Sequence, residues 1–395
     1  MRNEARSDPG PRASRHVPAP IRRSVLFLVA AFVLGCGSAA VEGASVALDR
    51  IELPEGFSID LFTDEVPGAR SLARSPEGTI YVGTRGAGRV YAVRDEDGDG
   101  GGERVRTLAS GLTSPNGIAF RDGDLYVAEI SRILRFPEPD DRLDDPPDPE
   151  VVFDGLPDDR HHGWRYLGFS PDGLLYFGIG APCNICDPGD PYASVSRIDL
   201  AEEDVEIEIY ARGVRNTVGF AWHPGTGELW FTDNGRDWMG DDRPPDELNH
   251  APEKGLHFGY PYCHGSDLRD PEFGEGKDCD RYRDPAAELG PHVAALGMLF
   301  YQGEMFPAEY RGRILIAEHG SWNRSVPIGY RITMVEPEAG GEARDYRPFA
   351  SGWLQGEEAW GRPVDLLELP DGSVLVSDDH VGAIYRISYS EPGDS

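Results

Sequence analysis

Six segments of the chain carry one pattern, a turn running directly into a short strand of β-branched or aromatic residues. They are SPEGTIYVGTR (75–85), RDGDLYVAEI (121–130), SPDGLLYFGIG (170–180), HPGTGELWFTDNG (223–235), EYRGRILIAEHG (309–320) and LPDGSVLVSDDH (369–380). Most are followed by a second strand-like run, such as GRVYAVRD, SRILRF, SVSRIDL, GYRITMVE and GAIYRISY. Successive units start roughly fifty residues apart, with one longer interval holding residues 236–308, and that period is the length of a four-stranded propeller blade. The expected fold is therefore all-β, a six-bladed β-propeller over residues 51–391. A pair of β-sandwiches leaves six similar units unexplained. A propeller must close its ring, and GFSIDLF (56–62) is the candidate closing strand. Residues 137–150 and 236–292 read as long loops, the segments on which propellers carry their sites.

Composition narrows the partners. The 49 Gly and 33 Pro fit a turn-rich chain. The net charge of −31 repels nucleic acid and anionic membrane. An anionic ligand therefore needs its own cluster of arginines. At the N-terminus Arg22 and Arg23 precede SVLFLVAAFVLG, an apolar run too short to span a bilayer. Residues 1–35 read as a signal peptide and VLGCG as a lipobox, in which Cys36 is lipidated and residues 36–50 form a linker. An ordinary signal peptide cleaved nearer Ala40 or Ala44 is the competing reading. Both predict an exported protein, periplasmic or an outer-membrane lipoprotein, with no other membrane attachment. Four further cysteines, Cys183, Cys186, Cys263 and Cys279, suit two disulfides in an oxidising compartment. Proximity favours Cys183–Cys186 and Cys263–Cys279, although three pairings exist.

Polar residues recur at matching points of different units. His161 and His162 precede the third repeat, and Arg215-Asn216 precede a strand one unit later. Arg324 lies in AEHGSWNRS (317–325), and Arg362 in WGRPVD (360–365), ahead of the sixth repeat. Such positions converge on one end of a propeller channel. Three arginines there, Arg215, Arg324 and Arg362, suit a multiply charged carboxylate ligand. Taken singly, each arginine reads first as a surface or inter-blade ion pair; the site reading rests on the three jointly.

These motifs carry a resemblance. SPNGIAF, HHGWRYLGFSPDG, GAPCNIC, ARGVRN, DELN, HFGYPYCHG, HGSWNRS and GRPVDLLELPDGSVLVSDD together resemble the glucose/sorbosone dehydrogenase family, with the L-sorbosone dehydrogenase-like branch as the best match. The similarity runs over nearly the whole chain after the leader. It implies a six-bladed quinoprotein that oxidises a sugar with pyrroloquinoline quinone and calcium, passing electrons to an external acceptor, either a quinone or a separate cytochrome. Counted back from SPDG, His162 falls on the catalytic base and His161 on a cofactor-contacting position. Arg215, Asn216 and Arg362 fall on cofactor-binding positions. Gly235 and Arg236 fall where two backbone carbonyls bind the calcium that bridges to the quinone, and Glu247 falls on a second calcium site. There are departures. A second cofactor arginine is replaced by Val364, and the cofactor lysine lacks a counterpart unless Arg324 substitutes for it.

The implied chemistry suits these residue types. A histidine titrates near neutrality and can accept the hydroxyl proton. A quinone accepts the hydride, and calcium polarises oxygen ligands. The loop after Gly235 offers Asp237, Asp241, Asp242, Asp246, Glu247 and Asn249 as oxygen donors, or simply a solvated acidic loop. DEDGDGGGER (95–104) imitates the start of an EF-hand loop, but Arg106 stands at its twelfth position, so a polar hairpin is the preferred reading. Trp164, Trp238, Tyr260 and Trp322 are aromatic candidates for stacking on a ligand. Two rival functions remain, a metal-dependent lactonase-type hydrolase and a carbohydrate- or protein-binding module.

Overall fold

The computed structural model describes residues 46–391 and Gly393. The signal peptide and Cys36 lie outside these residues. Six antiparallel four-stranded sheets follow one another along the chain. The first blade is built from Ala69–Arg74, Ile80–Thr84, Arg89–Arg94 and Arg104–Ser110. The second uses Gly117–Arg121, Asp124–Ala128, Ile133–Phe136 and Glu150–Phe153. The third uses Leu167–Phe169, Leu175–Ile179, Ser194–Ile198 and Glu208–Arg212. The fourth comprises Phe220–Trp222, Leu229–Asp233, Glu247–Ala251 and Ala287–Glu288. The fifth comprises Ala295–Phe300, Ile314–Glu318, Arg331–Pro337 and Ala343–Ala350. In the sixth, Pro363–Glu368, Val374–Asp378 and Ala383–Tyr389 are completed by Phe57–Thr63, which pairs antiparallel with Ala383–Tyr389 from Phe57 opposite Tyr389. The closing strand is the one expected from the sequence.

Each repeat supplies the second strand of its blade. Five of these six strands are buried at every position, because neighbouring blades cover both faces. That is why they read as continuous apolar runs rather than as alternation. The fourth strands, at the outer edge, are mostly half-buried or exposed.

Two boundaries differ from expectation. Residues 236–292 are not one loop, since they hold the last two strands of the fourth blade. Between those strands lies an insertion with a short hairpin, Cys263–His264 and Leu268–Arg269, tied by the Cys263–Cys279 disulfide. The expected linker also ends earlier. Val46, Ala47 and Leu48 already pack on the core shared by the fifth and sixth blades, and Glu52 bridges to Ser351. Among the described residues no helix is long and apolar enough to cross a membrane.

Candidate active site

The strand pattern dictates where a site can form. In each blade the first strand begins, and the second strand ends, at the same end of the channel. Residues at those two points face one another across the blades. Arg70, His162, Arg215, Asn216, His292 and Arg362 stand at or just before first strands, while Arg85, Asn234, Gly235 and His319 follow second strands. All of them line one cavity of about 330 Å³, together with Trp164, Asp237, Asp246, Trp322 and Asn323. Its volume lies in the range of small-molecule sites.

His162 is buried and its Nδ1 lies 2.9 Å from the carbonyl oxygen of Ala181. A carbonyl only accepts, so Nδ1 carries the proton, and Nε2 is the unprotonated nitrogen of the neutral ring. Burial, then the charge of Arg215, holds its pKa well below the ordinary histidine value. The ring is set by a turn and not by an extended strand. His162 has φ +49°, left-handed backbone that costs most residues about 1–2 kcal/mol but that His tolerates better than most. Gly180 is required behind it, since a Cβ there would stand 2.5 Å from the Cβ of His162. His161 is exposed and is not part of the lining. Its ring packs against that of His162 with centroids 4.1 Å apart.

The arginines differ in how far the protein already uses them. Arg215 donates Nε to Asn184 O (2.8 Å), Nη1 to Asn234 O (3.0 Å) and Nη2 to Asn184 Oδ1 (2.8 Å) and Asp237 Oδ2 (3.2 Å). Asn184 sits inside the Cys183–Cys186 disulfide loop, so that bridge holds the acceptors that aim Arg215. Arg362 donates to the carbonyls of His319 and Gly320 (3.0 and 2.8 Å). Arg70 is paired with Asp379, which also accepts from His319 Nε2 at 2.7 Å. Arg85 has no hydrogen-bond or ion-pair partner among the described residues. Its guanidinium lies 4.5 Å from the Trp164 ring centroid. Arg85 is exposed to solvent at the cavity; partial desolvation, then repulsion from Arg70, lowers its pKa, with Arg362 adding to that repulsion. Four guanidiniums thus face two lining carboxylates, Asp237 and Asp246. The first is committed to Arg215 and Asn323, and the second to the backbone N–H groups of Gly235 and Ala294.

Arg324 corrects the expectation. It is not part of the lining. Its guanidinium donates to the carbonyls of Asp241, Pro291 and Val326, stitching two loops together beside the cavity. Val364, read from the family resemblance as replacing a second cofactor arginine, is buried with Val218 and Leu296, with Trp164 packed against the group. Tyr260 is also not in the lining. It packs on the disulfide loop, and its hydroxyl accepts from Cys186 N.

Lining Asp246 belongs to a group of three buried carboxylates with Asp233 and Glu247. Asp233 and Glu247 are cross-strand partners, and burial pushes Asp233, Asp246 and Glu247 up to about 7, 6 and 8. No arginine, lysine or histidine pairs with any of them among the described residues. Glu247 accepts from Gly265 N and Asn249 Nδ2, and Asn249 Oδ1 is buried without a partner. The carbonyl oxygens of Gly235 and Arg236 likewise accept no hydrogen bond among the described residues. Elsewhere, on the exposed hairpin, Asp95, Asp97 and Asp99 gather with Glu103, a carboxylate the EF-hand comparison did not include.

Sequence reasoning missed Arg70, Arg85, Asn184, Asp246 as a lining residue, His292 and His319. A signal was present for two of them, since the residue directly after the second strand is Arg85 in the first blade and His319 in the fifth; Arg70 and His292 do not share the offset of His162 and Arg215 from their strands.

Comparison with known proteins places this geometry. Residues 129–321 match the family model for Glucose / Sorbosone dehydrogenase. An uncharacterized protein of Borreliella burgdorferi is 33% identical over 355 residues, covering 86% of this chain and 91% of that protein. The chain belongs to the glucose/sorbosone dehydrogenase family. Solved structures with the same fold include a calcium structure of a Trichoderma reesei carbohydrate-active enzyme of family AA12 (TM-score 0.74, 19% identity, 86% of this chain and 97% of that one). Another is the holo PQQ domain of Coprinopsis cinerea pyranose dehydrogenase (TM-score 0.69, 19% identity, 86% and 97%). A third is the PQQ-bound aldose sugar dehydrogenase of Streptomyces coelicolor (TM-score 0.60, 19% identity, 86% and 100%).

Proposed function

We propose that this protein is an exported, calcium- and pyrroloquinoline-quinone-dependent dehydrogenase that oxidises a sugar hydroxyl or a sugar-derived aldehyde. The observation that carries the reading is a neutral, tautomer-locked His162 in a cavity lined by four guanidiniums. Family membership supports it, as do the two disulfides, which suit an oxidising compartment. The residues fit the cofactor. It is a planar tricarboxylate, and Arg85 is an unpartnered guanidinium beside an indole, with Arg362 and Asn216 close by in the lining. The unpartnered carbonyls of Gly235 and Arg236 suit a hard cation at the cavity wall. Glu247 with the orphaned Asn249 Oδ1 suits a second cation in the blade. When bound, the quinone accepts the hydride.

The chain's own part is proton transfer and positioning. His162 Nε2 accepts the hydroxyl proton while Nδ1 stays bonded to Ala181 O, so the imidazolium that forms keeps its orientation. Arg85 and Arg362 orient the anionic group, and Arg215 is aimed by Asn184 and Asp237. Leu296 lines the cavity and is backed by buried Val218 and Val364, an apolar patch that excludes water and strengthens these interactions. A metal hydrolase would need free carboxylates at the cavity, and Asp237 and Asp246 are both committed. The test is to supply purified protein with quinone and calcium, offer a panel of aldoses, and follow dye reduction. Dye reduction that needs sugar, quinone and calcium together is the expected result. Quinone-independent lactone hydrolysis would favour the hydrolase reading.

A further inference from the structure

We propose that Trp238 and Trp322 form a saccharide-binding subsite at the rim of the cavity, so that the substrate is a neutral oligosaccharide extending at least one ring beyond the unit that is oxidised. The inference rests on the sugar dehydrogenase reading and adds the size of the substrate to it. The two indoles are 69% and 65% exposed, and their centroids are 5.3 Å apart in an edge-to-face arrangement. They are the two most exposed large hydrophobic residues described. Val326, 62% exposed, stands on the loop that carries Trp322. Isolated exposed leucines or valines need no explanation, but a pair of solvent-facing tryptophans in contact does.

The rim is built to hold them there. Trp238 follows Asp237, and Trp322 precedes Asn323. Asn323 Nδ2 donates to Asp237 Oδ1 at 2.8 Å, which joins the two loops between the indoles. Ser325 N donates to Asp241 Oδ1 at 3.1 Å, and Arg324 donates to the carbonyl of Asp241. Asp237 is anchored in turn by Arg215 and by Asn184. Trp238 also has φ +71°, a backbone region unfavourable for a bulky residue. The loops thus hold both indoles in water, in a strained position in one case, where neither contributes to the core.

Three considerations choose the occupant. Trp322 lines the cavity and Trp238 touches Trp322, so a chain of rings leaving the cavity meets the pair directly. A pyranose has an apolar C–H face and hydroxylated edges, and an indole covers the first while leaving the second wet. The two exposed indoles offer on the order of 300 Å² together, the scale of one or two sugar rings and well short of the roughly 800 Å² per partner of a stable protein interface. Charge agrees. The exposed Asp242 beside this rim and the net −31 of the chain disfavour an acidic glycan, and a neutral one carries no such penalty.

The test compares neutral oligosaccharides of one to four units, from the malto, cello and xylo series, on cofactor-free protein, followed by tryptophan fluorescence. Affinity should rise about tenfold from one to two units in at least one series. Trp238→Ala should abolish that gain, and Trp238→Phe should keep most of it. On enzyme loaded with quinone and calcium, Trp238→Ala should raise KM for the oligosaccharide about tenfold while leaving kcat and the monosaccharide KM unchanged. Trp238→Gly accepts φ +71° without strain and controls for folding. Failure of every sugar to reduce dye would sink the dehydrogenase reading, while length-dependent binding to the cofactor-free protein would still stand. Equal affinity for one and several units, unaffected by Trp238→Ala, overturns the subsite. So does a Trp238→Ala defect seen only with a protein electron acceptor, which would make the rim a docking surface.

Discussion

The replacement His162→Asn separates chemistry from structure at the proposed base. Asn is another residue that tolerates left-handed backbone, so φ +49° is retained. Its amide nitrogen is attached at the same carbon as Nδ1, so the bond to Ala181 O is retained as well. What disappears is Nε2. Loss of a general base costs about 10²–10⁴ in turnover, or roughly 2.7–5.5 kcal/mol in the barrier. His162 is a weakened base, its pKa held down by burial and by Arg215, so the loss should fall toward about 10²–10³. The stability cost should be about 1 kcal/mol, a shift of about 1–2 °C in Tm for a domain this size. The assay is dye-coupled turnover at saturating quinone and sugar, with quinone binding measured separately by fluorescence quenching. The pH profile supplies a second check. A base works when unprotonated, so wild-type activity is lost as pH falls through the depressed folded pKa, and the acid limb must lie below 6.5. A folded, quinone-binding variant within tenfold of wild-type turnover, or an acid limb at or above 6.5, refutes the assignment.

Other perturbations separate binding from stability. Arg85→Ala removes the cavity guanidinium that has no partner among the described residues, so quinone affinity should fall about 10–100-fold by titration while Tm stays within about 2 °C. Replacing Cys183 and Cys186 by Ser should weaken quinone binding more than folding, because Asn184 then holds Arg215 less firmly; unchanged binding would contradict that link. Replacing Cys263 and Cys279 by Ser should do the reverse. It should cost about 3 kcal/mol in denaturant unfolding, as expected for a loop of sequence separation 16. Phe57→Ala strips the closing strand of edge contacts with Phe306, Tyr310, Phe349 and Tyr389. It should cost about 2–4 kcal/mol, and a loss under about 1 kcal/mol would mean that the ring closes mainly by backbone pairing.

Blade number, the identity of each second strand and the closing strand were all legible in the chain, because turn chemistry and apolar runs are local. So was the placement of His162, Arg215 and Arg362 at one channel end, since a repeat carries equal offsets to equivalent points in space. Tertiary structure decided what each polar group does there. Arg324 and Arg362 look alike in sequence, yet one is consumed by the carbonyls of Asp241, Pro291 and Val326 while the other lines the cavity. Arg85 emerges as the cavity guanidinium without a partner among the described residues only when every acceptor around the other arginines is counted. His162 turns inward through a left-handed turn and the space beside Gly180, neither of which an alternating strand pattern encodes. Asp246 and Glu247 likewise sit in a segment that reads as a solvated acidic loop, until cross-strand pairing brings Glu247 opposite Asp233. A repeat fixes where residues point because that is a matter of backbone geometry. Hydrogen-bond satisfaction and desolvation depend on contacts between blades far apart in the chain, and no local pattern contains them.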